Sequence, residues 1–172
     1  MHLTKTLSTA LALSLLTAAP AFAVPISATP EAPARALLLI PLTLTKVQDL
    51  NFGSIVPSAA PGTVTINAAT GNRTGSPEVT LLPSDVGQKG YFAGAGSPNQ
   101  QVIMALTPAT ILTDGLGNNI SVLSMSLDGP ATRTIDPVDN TFYVGVGGVL
   151  QIDADQPEGL YSATYDLTAD YQ

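Results

Sequence analysis

The stretch Pro41–Pro57, PLTLTKVQDLNFGSIVP, decides the fold class. It begins as an apolar run, turns polar at TKVQD and becomes apolar again before its last proline. The charged residues in its middle exclude a membrane span. In a β-strand, every second side chain points to the same face. The apolar residues on both sides of the polar part all occupy even-numbered positions and would therefore lie on one buried face: Leu42, Leu44, Leu50 and Phe52. We interpret the stretch as a first strand that crosses from one sheet to another, with its polar part at the edge.

The polar part and the glycine of this stretch allow two interpretations. Gly53 permits a bulge or a bend, after which the parity can shift to Ile55. Alternatively, Lys46 and Asp49 could form a small ligand site between two strands. The structural interpretation accounts for the same residues and is preferred.

The rest of the chain consists of short β-prone runs separated by turn signals, without helical periodicity. We count about nine strands, which predicts an all-β fold, an immunoglobulin-like Greek-key β-sandwich of two antiparallel sheets. Residues 161–171 alternate strictly, so we expect a last strand that is central to the core pairing. In SVLSMSL we expect Leu123, Met125 and Leu127 to share one buried face. The stretch ATGNRTGS is expected to be a turn.

The N-terminal residues have the pattern of a signal peptide. A basic start, MHLTK, precedes a short apolar core and the small-x-small sequence AFA, which predicts a signal peptide over residues 1–23. We expect a bacterial protein exported to the periplasm, the cell surface or the medium, with no membrane span after cleavage. Residues 24–35 are rich in proline and predict a flexible arm. Residues 36–172 are expected to form a single β-sandwich domain.

Composition excludes several function classes. After cleavage the chain lacks Cys, Trp and His, because its one histidine is His2. His-activated nucleophiles and thiolate or imidazole metal sites are thereby excluded, so we expect neither an enzyme nor a cofactor. The mature chain has five scattered basic residues and thirteen acidic ones, which gives a formal net charge of −8. No basic patch is available for nucleic acid.

One acidic loop, QIDADQPEG, is a weak calcium candidate. Asp153, Asp155 and Glu158 could supply three oxygen ligands. The loop lacks the regular spacing and central glycine of a calcium loop, so a solvated turn is preferred. The stretch TDGLGNN also resembles a calcium loop through Asp114, Asn118 and Asn119. A hairpin turn explains these residues equally well and is preferred. The carboxylate pair of TIDPVDN lacks the aromatic-lined cleft that glycoside hydrolysis needs.

Four spaced blocks carry a family resemblance: PLTLTKVQDLNFGSIVP, GTVTINAATGNRT, TFYVGVGGVLQI and PEGLYSATYDLTADY. Together they resemble a bacterial family of exported domains of unknown function, similar to spore coat protein U and, more distantly, to chaperone–usher fimbrial subunits. Such fimbrial subunits carry a glycine fourteen residues from the C-terminus and a penultimate tyrosine. Gly159 and Tyr171 occupy these positions here.

The resemblance implies assembly by β-strand addition, with identical or related subunits and a periplasmic chaperone as partners. Five residues at and in the last strand would then serve assembly and strand pairing: Gly159, Tyr161, Tyr165, Leu167 and Tyr171. The tyrosines Tyr161, Tyr165 and Tyr171 would line the acceptor groove. Whether residues 24–36 donate a strand stays open, because prolines interrupt their alternation.

Two functions follow as hypotheses. The first is a non-enzymatic secreted or cell-surface structural protein, a pilus-like or coat-like subunit that assembles by β-strand addition. The second is a self-complete sandwich, closed by its own residues 36–45, that acts as a binding module for a glycan, calcium or an envelope protein.

Overall fold

The computed structural model describes residues 33–172 together with Ile26 and Pro30. The expected signal peptide, residues 1–23, and most of the expected arm, residues 24–35, lie outside this described part. Within it there is no helix, and therefore none that is long and apolar enough to cross a membrane. Residues 38–172 form one compact unit.

Twelve strands are present in the described residues, and every pairing is antiparallel. The all-β prediction is confirmed, and the count exceeds about nine because several strands have only two or three residues. In chain order they are β1 (Thr43–Gln48), β2 (Ile55–Val56), β3 (Gly62–Ile66), β4 (Arg73–Gly75), β5 (Thr80–Leu81), β6 (Gly90–Ala95), β7 (Gln101–Thr107), β8 (Ile111–Thr113), β9 (Asn119–Leu127), β10 (Thr132–Thr134), β11 (Thr141–Ile152) and β12 (Asp166–Tyr171).

The strands form three sheets. A seven-stranded sheet contains β1, β3, β4, β6, β8, β9 and β11 and curls into a half-barrel. Strand β7 lies between β10 and β12 in a three-stranded sheet, and β2 pairs with β5 alone. The twelve-residue β11 pairs with β6 through its first half and with β3 and β9 through its second half. This pairing does not establish an immunoglobulin-like strand order.

The core consists of two apolar clusters that share β11. Val144 and Val146 in its first half are fully buried and pack with residues of β6 and β7. Leu150 and Ile152 in its second half pack with Val64 of β3 and with β9. Partly buried side chains of β1 and β12 close over the first cluster.

The first strand crosses between sheets, as predicted. Strand β1 pairs with β6, and its register shifts between Lys46 and Gln48. The chain then bends at Gly53, whose φ of 71° favours glycine, and continues as β2 in a different sheet. Lys46 and Asp49 form an exposed ion pair with each other, 2.5 Å between Nζ and Oδ1, on the surface of this crossing.

The prediction of a central last strand was wrong. Strand β12 begins only at Asp166 and lies at the edge of its sheet, with β7 as its one partner. The residues before Asp166 leave the sheet and reach another strand only through Ser162, which pairs with Thr113. The predicted alternation is present, but hydrogen bonding covers only its second half.

Two further expectations were wrong in detail. Leu123 is 56% exposed, because a bulge in β9 places it outside the alternation of Met125 and Leu127. The stretch ATGNRTGS is a turn only in its first part, where the Asn67 carboxamide accepts two backbone N–H bonds. Arg73–Gly75 then pairs with β3 as a hairpin.

Candidate functional site

An apolar cleft of about 750 Å³ lies between residues 50–57, here the first rim, and residues 156–165, here the second rim. The bulge in β9 turns both Val122 and Met125 toward this cleft, although the two residues are three positions apart and regular alternation would place them on opposite faces. The floor is formed by apolar side chains of β8, β9 and β11: Leu112, Ile120, Val122, Met125, Leu150 and Ile152.

The first rim has one paired and one free edge. Asn51 bridges to Gln88, and β2 pairs with β5. Within the described residues β2 has no second strand partner. Gly53 and Gly87 both have positive φ and approach each other so closely that a Cβ on Gly87 would meet the nitrogen of Gly53 at 3.0 Å.

Arg73 fastens the first rim to the body of the domain. Its guanidinium donates to the carbonyls of Phe52 (3.0 Å), Ser54 (3.2 Å) and Leu82 (2.6 Å). A planar guanidinium with five N–H donors can satisfy three carbonyls at once. This role was not predicted, because Arg73 lay in an expected turn.

The second rim is irregular, with a bend at Gly159, and largely unpaired. In the described chain, Ser162 is the one residue between 157 and 165 whose backbone pairs with another backbone. Tyr161 stabilises this rim through its hydroxyl, which donates to the Pro157 carbonyl (2.8 Å) and accepts from the Gln156 side chain (3.0 Å). Leu160 is 88% exposed at the lip of the cleft.

The structure brings three of the five predicted pairing residues to the cleft. Gly159, Tyr161 and Tyr165 line it. Leu167 and Tyr171 lie beyond it in β12, where they pack against the first core cluster. The predicted face is therefore divided between an open cleft and a closed core.

Tyr165 stands at the boundary between cleft and core. Its ring packs edge-on against Phe92, with 6.2 Å between centroids. Its hydroxyl is buried and has no hydrogen-bond partner among the described residues. Burial, followed by the charge of Asp49, raises the pKa of this phenol, so it stays neutral and can donate a hydrogen bond.

Tyr171 closes the opposite end of the domain. Its hydroxyl donates to the Ile40 carbonyl (2.7 Å) and accepts from the Ser97 backbone N–H (2.7 Å). The Ser97 hydroxyl in turn accepts from the Ile40 N–H (2.7 Å). This penultimate residue therefore ties β12 to the segment that enters β1.

Replacing Tyr171 with phenylalanine is expected to lower the free energy of unfolding by about 1–2 kcal/mol, because a carbonyl and an N–H lose their partner. Urea unfolding measures the change. Tyr143→Phe is the control, since Tyr143 is 48% exposed and its loss of a hydroxyl should be close to neutral. Equal stability of the two variants would contradict this role.

The sequence was compared with models of known protein families and with known proteins. Residues 42–171 match the family described as Domain of unknown function (DUF4402). The chain belongs to this family. The matched region of the DUF4402 domain contains both rims, the floor and Tyr171. No curated protein and no solved structure is significantly similar to the chain.

The acidic loop of this DUF4402 domain does not gather its carboxylates. In the part of the chain that the structure describes, no three His, Cys, Asp or Glu side chains are placed to hold a metal ion. Asp153, Asp155 and Glu158 are all exposed, and the Asp155 N–H donates to the Ser58 carbonyl (2.9 Å) in the turn.

The other acidic turns are structural. The Asp114 carboxylate accepts from the Asn118 side chain and from the backbone N–H groups of Leu116 and Asn118, which lowers its pKa. Asp139 accepts from the Thr141 hydroxyl and N–H, with the same effect on its pKa. The Asp114 carboxylate holds the hairpin turn between β8 and β9 in place, and the Asp139 carboxylate holds the turn that leads from β10 into β11.

Proposed function

We propose that the protein is a non-enzymatic, exported structural subunit, pilus-like or coat-like, that assembles by β-strand addition into the cleft. The observation that carries this proposal is an apolar cleft bounded by two chain segments whose backbone groups have few backbone partners among the described residues. Its partners are identical or related subunits, with a periplasmic chaperone to cover the cleft before assembly.

The backbone of the rims supports an extended occupant. Strand β2 has one free edge, and the second rim pairs only through Ser162. Unpaired N–H and C=O groups along an edge form a template for another strand. A strand laid between the rims would give these groups partners, as in other cases of β-strand addition.

The side chains around the cleft support an apolar occupant. The floor is apolar, and the lip carries Leu160, which is 88% exposed, and Val56, which is 45% exposed. A contiguous apolar surface of this kind marks an interaction site in a soluble protein.

The family resemblance supports the same proposal. Gly159 and Tyr171 stand where fimbrial subunits carry a glycine and a tyrosine, and they flank the unpaired rim and β12. The similarity to spore coat protein U and the immunoglobulin-like topology belong to this proposal as well.

Replacing Val56 with lysine tests the proposal at the lip of the cleft. A charge there would be buried by an incoming strand, so we expect association to weaken roughly tenfold or more, about 1.4 kcal/mol. Light scattering on a concentration series after size-exclusion chromatography measures it.

Ile103→Lys is the matched control. Ile103 is 46% exposed and lies in β7, outside the cleft lining. Its replacement by lysine should therefore leave the association constant unchanged. Equal weakening by both variants contradicts a role of the cleft. A monomer at every concentration contradicts the proposal and favours the self-contained binding module.

A further inference from the structure

We propose that the outer face of β1, β6 and β11 binds a neutral carbohydrate chain, with one sugar ring stacked on Tyr143. Side chains alternate between the two faces of a sheet, and Phe92 and Val144 of these strands are buried in the core. Their neighbours therefore point away from the core. The outer face, here the tyrosine face, consists of six residues that the strand register places together: Thr43, Thr45, Tyr91, Ala93, Ala95 and Tyr143.

The tyrosine face contains a shallow groove. One row across the three strands consists of Thr45, Ala93 and Tyr143, and the adjacent row contains Thr43 and Ala95. The two alanine methyl groups form the floor, because they are the smallest side chains in these rows. The exposed threonines of β1 border the groove on one side, and the ring of Tyr143 borders it on the other. One side of the groove therefore carries hydroxyl groups, and the other carries an aromatic ring.

The ring of Tyr143 is held in place and keeps one face free. It lies parallel to the ring of Tyr91, with 5.7 Å between centroids and 1° between planes. Tyr143 pairs with Ala93, which follows Tyr91 in β6. Lys89 precedes Tyr91, and its Nζ lies 5.4 Å from the centroid of that ring. Lys89 and Tyr143 therefore cover opposite sides of the Tyr91 ring, and the other side of the Tyr143 ring, which is 48% exposed as a residue, faces the small side chain of Ala95.

The chemistry of the tyrosine face matches that of a sugar ring. The face of an aromatic ring carries negative charge density, which attracts the polarised C–H groups on the flat side of a pyranose. The hydroxyl groups around the sugar ring need hydrogen-bond partners, and the hydroxyls of Thr43 and Thr45 can donate and accept. Because the stack fixes the Tyr143 ring before a ligand arrives, binding costs little conformational entropy.

Two observations favour a neutral carbohydrate over other occupants. None of the six residues of the tyrosine face is charged, and the chain has a formal net charge of −7, which disfavours an acidic polysaccharide. Backbone N–H and C=O groups lie in the plane of a sheet, so a face, unlike an edge, offers no pairing groups to an added β-strand. The cleft lining contains none of the six residues, so the tyrosine face can act in addition to the proposed strand addition.

Isothermal titration calorimetry tests the proposal with the protein expressed from its full sequence. The probes are neutral oligosaccharides of glucose, mannose, galactose and N-acetylglucosamine, and polygalacturonate is the acidic comparison. We expect saturable binding of at least one neutral probe and none of the acidic polymer. Tyr143→Ala should weaken that binding about tenfold or more, whereas Tyr143→Phe keeps the aromatic face and should stay within about threefold of the wild type.

Two further variants locate the binding site. Ile111→Ala is the matched control, because Ile111 is 47% exposed and belongs to β8 of the same sheet, outside the tyrosine face. It should leave the affinity unchanged. Ala95→Leu fills the floor of the groove without removing either ring of the stack, and it should weaken binding about tenfold or more. Thermal unfolding of each variant confirms that it is folded.

Absence of binding to every neutral probe at millimolar concentration would overturn the proposal. So would equal weakening by Tyr143→Ala and Ile111→Ala, or a loss in Tyr143→Phe as large as that in Tyr143→Ala. Self-association that falls in Tyr143→Ala, with no carbohydrate bound by the wild type, would identify an interface between copies and also overturn the proposal. None of these outcomes bears on the cleft, which Val56→Lys tests separately.

Discussion

Gly147→Ala is expected to destabilise the protein by about 3 kcal/mol or more. A Cβ at Gly147 would meet the carbonyl oxygen of Ile66, and the Cα of Ala68 would lie 2.8 Å away. These are backbone atoms of the neighbouring strand and the turn that follows it, so no side-chain rotation relieves the overlap. The strands β3 and β11 would have to separate.

Thermal unfolding measures this effect, and a loss of about 3 kcal/mol corresponds to roughly 10 °C for a domain of this size. Gly159→Ala is the control. Its Cβ would lie 3.4 Å from the Asp114 side chain, an ordinary contact, and its backbone does not have positive φ. A Gly147 variant as stable as the Gly159 variant would contradict the close approach of β3 and β11.

Arg73→Met is expected to cost about 2 kcal/mol of stability and to weaken assembly as well. Its loss leaves the carbonyls of Phe52 and Leu82 without a donor, and each unsatisfied carbonyl costs about 1 kcal/mol or more. The Ser54 carbonyl loses one of two donors and keeps the Leu82 N–H at 3.1 Å. The first rim would then lose its fixed position at the edge of the cleft. Arg73→Lys should retain part of the stability, because an ammonium cannot reach all three carbonyls.

Lys89→Met is the control for the loss of a cation. Lys89 donates to a single carbonyl, that of Ala69, at 2.7 Å. We expect a change within about 0.5 kcal/mol. Urea unfolding and light scattering measure stability and assembly in the same samples. An Arg73 variant with wild-type stability would contradict the proposed attachment of the first rim.

Much of the strand content could be predicted from the sequence because alternation of apolar side chains reports burial directly. Val64 and Ile66 are buried as expected in the run TVTIN, and Val102 and Met104 are buried in QVIMALT. The bend at Gly53 was predictable from the residue type and its place between two runs.

Strand pairing could not be predicted in the same way. Residues 161–171 alternate throughout, yet only the part from Asp166 pairs with a neighbouring strand. Alternation describes which face a side chain occupies and says nothing about hydrogen bonds along the edges. Leu123 does not lie on the face that alternation predicts, because it occupies a bulge. That bulge arises from the register of β9 against β11, which the sequence of β9 alone does not determine.

The cleft itself was only half predictable. Tyr161, Tyr165 and Tyr171 were expected to line a groove through the family resemblance. Tyr161 and Tyr165 lie in the lining of the cleft, whereas Tyr171 packs against the first core cluster. The floor depends on three strands that meet only in the folded chain. The role of Arg73 depends on three carbonyls from distant loops, so no local pattern could indicate it.

The central claim is that the cleft accepts a β-strand, and hydrogen exchange of backbone amides tests it most directly. Exchange is compared between dilute monomer and associated protein, with attention to residues 55–57 and 157–165. An added strand must take up hydrogen bonds along the rims, so we expect amides of the second rim other than Ser162 to exchange at least tenfold more slowly on association. Association that leaves exchange along both rims unchanged would contradict the claim.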